Sequence, residues 1–154
     1  MNWKPVWTLA VVAGLATGIL SLFRIESPAV GWAITLGANF ACAIWLVLRA
    51  PGHYFLHGLW TGFFSTLIEV SVAVIFPGRF MQANPDFAQQ YSQLPIAIHQ
   101  RVFLLMAAPF AALLAGVFLG VITWLVSKIL GPDKTQPAPT PTEPPPPENL
   151  PPPL

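Results

Sequence analysis

Ionisable side chains are scarce in this chain. Seven Lys and Arg, six Asp and Glu and three His are spread over 154 residues. Charged residues make up 8% of the chain, against about 25% in soluble domains, and the mean hydropathy is +0.63, which together place it in the membrane class. A net charge of +1 from dispersed basic residues assembles no basic face, so nucleic acid is not an expected partner. Cys42 is the single cysteine, which excludes an intrachain disulfide, a CxxC motif or a cysteine-based zinc site. No Ser-His-Asp, HExxH, Walker, GxGxxG or zinc-ribbon pattern is present, so the reading leans away from an enzyme and implies no cofactor.

What the chain has in plenty is apolar length. Four runs, Val6–Phe23, Ala29–Leu48, Tyr54–Phe76 and Val102–Val126, each approach or exceed the roughly 20 helical residues that cross a bilayer core. The expectation is an all-α polytopic membrane protein, with transmembrane helices over about 5–24, 28–49, 54–76 and 97–130 in a domain covering 1–131. Its principal partner is then the lipid bilayer. The first run follows a short basic start, Met1-Asn2-Trp3-Lys4, but is longer than an ordinary signal-peptide core and lacks a small-residue cleavage site. It is read as a retained helix.

Punctuation agrees with these bounds. Pro5 sits in a first turn, Ser27-Pro28 pairs a cap with a proline start, and Pro77-Gly78 closes the third run. The turns 24–27 and 49–52 leave room only for antiparallel hairpins. The long connection, Gly78 to Gln100, contains Asn84-Pro85-Asp86, a second cap-and-start signature. It predicts a short interfacial helix over Pro85–Gln93, with Phe87, Tyr91 and Leu94 on one side. Pro109 is expected to kink the fourth helix. Beyond it, residues 132–154 hold eleven prolines in twenty-three positions, a composition that builds no core and reads as a disordered, solvated tail. Lys4, Arg49, Lys128 and Lys134 fall on one side of the bilayer, and Arg24, Arg79 and Arg101 on the other. The balance favours cytoplasmic termini in a bacterial inner membrane.

On a helical wheel the small residues gather into faces. Ala10, Gly14, Thr17, Gly18 and Ser21 share one in the first helix. Ala108, Ala112, Ala115, Gly116, Gly120 and Thr123 share another in the fourth. In lipid such faces let backbones approach. The second helix has two, Ala33-Gly37-Ala41 and Thr35-Asn39-Cys42, which predicts protein neighbours on both sides. In the third, Gly58, Gly62, Ser65, Thr66, Glu69 and Ala73 occupy one arc.

Glu69 is the only charge in Tyr54–Phe76, and an intramembrane acid asks for a partner. Arg101 at the start of the fourth helix is the first candidate, and Arg24 at the end of the first is the second. Either would make a structural ion pair. A protonated Glu69 bonded to Asn39 or Thr66 is the uncharged alternative. With Ser65 these residues form the expected intramembrane polar cluster. Proton or ion handling is the functional reading, set behind the structural one because a lone acid is too little for a pathway. His53 and His57, four apart, could place two imidazoles on one metal. No cysteine or acid completes that set, and interfacial histidines beside Tyr54 explain them more simply. Trp3, Trp7, Trp45, Trp60 and Trp124 fit an aromatic belt or lipid-facing positions.

Gly14-x-x-x-Gly18, Tyr54-x-x-x-Gly58-x-x-x-Gly62, Asn84-Pro85-Asp86-Phe87 and the small-residue run Ala107 to Gly120 together form a pattern. It resembles a family of small bacterial four-helix membrane proteins grouped as a domain of unknown function. The resemblance covers residues 5 to about 130 and departs in the Gln-rich loop after Phe87 and in the tail. It implies the four-helix fold and brings no activity or site residues. The expected role is a structural or accessory element of the membrane, alone, as a homo-oligomer or within a larger complex. The alternative is a small oligomeric transporter or channel using Glu69.

Overall fold

A computed structural model of the chain describes residues 3–23, 28–50, 52–94 and 98–130. The proline-rich segment, the turn 24–27 with Arg24, and Lys134 lie outside the described residues. The described chain is all-helical: α1 (Trp3–Leu20), α2 (Pro28–Arg49), α3 (Tyr54–Ile75), α4 (Pro77–Ala83), α5 (Pro85–Ser92) and α6 (Gln100–Leu130). Four of these, α1, α2, α3 and α6, are long and apolar enough to cross a membrane, and the chain is an integral membrane protein. Its exterior suits lipid. Trp32, Leu48, Phe110, Leu114 and Ile129 are all exposed by 65% or more of their surface. In water such a surface would drive aggregation, whereas hydrocarbon leaves it at no disadvantage.

The glycines decide how the helices meet. On α3, a Cβ added at Gly62 would lie 2.7 Å from the Ala115 carbonyl oxygen and 2.8 Å from the Gly116 Cα. From the other side, a Cβ at Gly116 would lie 2.6 Å from the Leu59 carbonyl oxygen. α3 and α6 therefore run antiparallel with their backbones in contact. On α1, Gly14 sits on Ser65 and Ile68, and Gly18 on Glu69 and Val72, so α1 packs parallel to α3. Aromatic rings continue that seam at the other end. Trp7 stacks on Phe64 with centroids 4.4 Å apart, and Trp3 meets Trp60 at 6.1 Å. Trp60, expected in an aromatic belt or facing lipid, is thus partly covered by α1, and so is Phe64. With α1 on one flank and α6 on the other, α3 is the central helix.

α2 is the outlier. Its second half supplies Ala43 and Val47 to a core with Leu119, Ile122 and Val126 of α6. Its first half is exposed almost all round, and a Cβ at Gly37 would meet nothing within 4 Å. Ala33, Gly37 and Ala41 are exposed, and among the described residues nothing covers Gly37, where the expectation is a protein neighbour on each side.

The connection between α3 and α6 is more helical than its sequence suggests. Pro77-Gly78 does end α3, but Pro77 also occupies the first turn of α4, where its missing N–H costs nothing. The segment read as loop is thus a helix up to Ala83. Asn84 does not cap α5 with its side chain. Its amide instead donates to the Ser21 carbonyl beyond α1 at 3.0 Å and to the Phe80 carbonyl at 2.9 Å. α5 closes at Ser92, and Phe87 and Tyr91 lie against Phe103 of α6. α6 runs unbroken through Pro109 for 31 residues, roughly 46 Å at 1.5 Å per residue, well beyond a bilayer core of about 30 Å.

Candidate functional site

Glu69 stands where three parts of the structure meet. Its Cα backs onto Gly18 of α1, its carboxyl lies beside the Thr17 hydroxyl of α1, and it borders a cavity of about 180 Å³ shared with α6. Ala73, Ala107, Ala108 and Ala111 line that cavity, and their methyl groups are too short to fill the space between α3 and α6. Phe80 of α4 and Phe87 of α5 also line it, with ring centroids 5.4 Å apart and planes at 79°. Glu69 and Thr66 are the only polar side chains among the described residues that line it. The arrangement is one acid and one hydroxyl in an apolar chamber with two aromatic rings.

The expected polar cluster comes together only in part. Thr66 and Glu69 border the same cavity. Ser65 lies in the α1 seam and donates to the Gly62 carbonyl at 3.1 Å, the local bond open to a helical serine. Asn39 is on α2 and donates to the Thr35 carbonyl at 2.8 Å, so it satisfies itself within its own helix. Arg101 is exposed in the first turn of α6 and does not line the Glu69 cavity. No Lys, Arg or His is among the described residues that line the Glu69 cavity. A guanidinium one turn from the helix end keeps its hydration by extending outward, which is cheaper than burying it beside the acid. Arg24 lies outside the described residues. The neighbour missed from the sequence is Thr17, whose hydroxyl donates to the Ala13 carbonyl of its own helix at 2.9 Å. It shares the Gly14–Gly18 face, and the parallel docking of α1 on α3 brings that face to Glu69.

The two histidines separate. His53 is exposed and holds a left-handed backbone conformation, φ 45°, just before α3. His57 is 1% exposed and Thr61, one turn on, is 0% exposed. Both ring nitrogens of His57 and the Thr61 hydroxyl are buried without a hydrogen-bond partner. His57 is therefore a core residue, not an interfacial one. With one imidazole exposed and the other buried, the pair does not present a shared face to a metal. Among the described residues no group of three His, Cys, Asp or Glu side chains gathers.

His57, Thr61, Ser65 and Glu69 follow one another at intervals of four. They form a stripe of polar groups along α3 about 18 Å long at 1.5 Å per residue. An imidazole stands at one end, a carboxyl at the other, and hydroxyls between. Glu69 is thus not isolated, as it seemed when the sequence was read for acids alone. No protein-family model, curated protein or solved structure matches this chain.

Proposed function

We propose that the protein is a structural or accessory component of a bacterial inner membrane, acting through association with another membrane helix. In this reading its four long helices cross the bilayer as antiparallel hairpins with both termini in the cytoplasm. α5 lies at the interface. The resemblance to the small four-helix family belongs to the same proposal. The observation that carries it is the contrast among glycines. Those of α1, α3 and α6 each support a close backbone contact, whereas Gly37 of α2 faces open space between the exposed Ala33 and Ala41. A small-residue face is what a transmembrane helix presents to another helix, because lipid gives no advantage to smallness.

Cysteine cross-linking in membranes tests this in a Cys42→Ala background. A cysteine replacing Gly37 is expected to form a cross-linked dimer or a stoichiometric adduct. One replacing Leu114, 72% exposed on α6, is expected to remain unlinked. Equal behaviour at the two positions, with a monomer on purification from native membranes, would remove the proposal.

A second reading, proton or cation handling by Glu69, is favoured by the polar stripe from His57 to Glu69 and by the cavity at its end. Reconstituted protein with Glu69 intact is expected to pass protons or cations, and Glu69→Gln to lose that flux. Equal flux in both would take Glu69 out of any transport role.

A further inference from the structure

We propose that the Glu69 cavity is a binding site for a small organic ammonium ion, of about the size of benzylammonium. The inference rests on the second reading only in assigning Glu69 a cationic ligand, and binding is measured separately from transport.

Three observations define the ligand. The first is size. The cavity measures about 180 Å³, whereas an apolar cavity of about 150 Å³ accepts benzene and drug-sized ligands need about 300 Å³ or more. A single six-membered ring with a short substituent is the upper limit. The second is charge. Glu69 is the one ionisable side chain among the described residues that line the cavity. A cation entering the chamber would meet its carboxylate with no cationic side chain among those lining residues, in a medium where an ion pair is weakly screened. The third is the remaining wall. Phe80, Phe87 and the alanines suit an apolar body, and aromatic rings near a carboxylate favour an organic ammonium over a strongly hydrated metal ion. A hydrated inorganic cation would need several oxygen ligands, and only Glu69 and Thr66 offer side-chain oxygens here. The alanines make the space: Ala108 is buried and Ala111 reaches the bundle surface.

Full-length protein in lipid nanodiscs would be titrated with benzylammonium, and in parallel with ethylbenzene, which replaces the ammonium by a methyl group. Bound ligand would be read by ligand-observed NMR against empty nanodiscs. The expected result is saturable benzylammonium binding, at least tenfold weaker in Glu69→Gln. Ethylbenzene should bind at least tenfold more weakly than benzylammonium to wild type and equally to both proteins. Ala108→Leu, which fills the chamber, should abolish binding while thermal unfolding stays cooperative. Ala111→Leu, at the edge of the packing, serves if Ala108→Leu does not fold. Benzylammonium binding unchanged by Glu69→Gln, equal binding of the neutral isostere, or no saturable binding would overturn the proposal. Flux that depends on Glu69 without ammonium binding would sustain the transport reading and remove this one. Binding without flux would do the reverse.

Discussion

Replacing Gly62 with alanine places a methyl group 2.7 Å from the Ala115 carbonyl oxygen, 2.8 Å from the Gly116 Cα and 3.0 Å from the Ala115 carbonyl carbon. All three atoms belong to backbone, so no side chain can rotate away and the helices themselves must part. Restoring an ordinary contact needs a separation of roughly 0.6 Å, and gaps of that order forfeit a quarter or more of each dispersion well they open. The same seam is shared by Gly58, Gly116 and Gly120, where an added Cβ would also lie 3.0 Å or less from α3 or α6 atoms. One methyl group therefore loosens contacts along its whole length. Overpacking of this kind costs about 1–3 kcal/mol. Alanine gains about 1 kcal/mol over glycine in a helix. A net loss of up to about 2 kcal/mol is expected for Gly62→Ala.

Gly37→Ala supplies the internal standard. It has the same chemistry with nothing within 4 Å, so in the monomer it keeps the propensity gain of about 1 kcal/mol. The propensity gain is common to both variants, so Gly62→Ala should be less stable than Gly37→Ala by the overpacking cost of about 1–3 kcal/mol. Reversible unfolding of the micelle-solubilised monomer by a denaturing detergent, followed by tryptophan fluorescence, measures both. Equal stability of the two variants would show that α3 and α6 do not meet at their glycines.

Two further substitutions probe polar groups, one buried and one half-buried. Thr61→Val removes a buried hydroxyl with no hydrogen-bond partner and should raise stability by about 1 kcal/mol in the same unfolding assay. A loss of stability would mean that the hydroxyl is satisfied in the membrane. Asn84→Ala deletes the amide that joins the α4–α5 junction to the Ser21 carbonyl and should cost about 1–2 kcal/mol. Faster amide exchange confined to α4 and α5 should accompany it, and unchanged exchange there would refute the tether.

The long helices were legible because their signals are local. Length, apolar content and prolines at first turns place α1, α2, α3 and α6 to within a few residues, and small-residue periodicity identified the buried faces of α1 and α6. The features that escaped depend on which helix lies next to which. Arg101 suggests itself as a partner for Glu69 because it opens the fourth helix, yet position along the chain carries no information about how far a side chain extends toward water. Thr17 was on the page as a packing residue and became the neighbour of Glu69 only through the parallel pairing of α1 with α3. α4 was missed because a proline that ends one helix can begin another. His57 and His53 looked equivalent at i and i+4, and only the packing around α3 buries one and exposes the other.

The pairing of α1 with α3, not with α2, has a consequence for biogenesis. As the chain emerges during synthesis, the Gly14–Gly18 surface enters the bilayer with nothing to dock against until α3 has been delivered. The α2 helix between them contributes little to holding α1 in place. For that interval α1 is an isolated span whose backbone is thinly covered, and a neighbouring helix could capture it. Final assembly then waits for α6, the last of the described helices, to close over the other side of α3. Truncation just before α6 should accordingly leave an inserted but loosely packed intermediate, the form most exposed to membrane quality control.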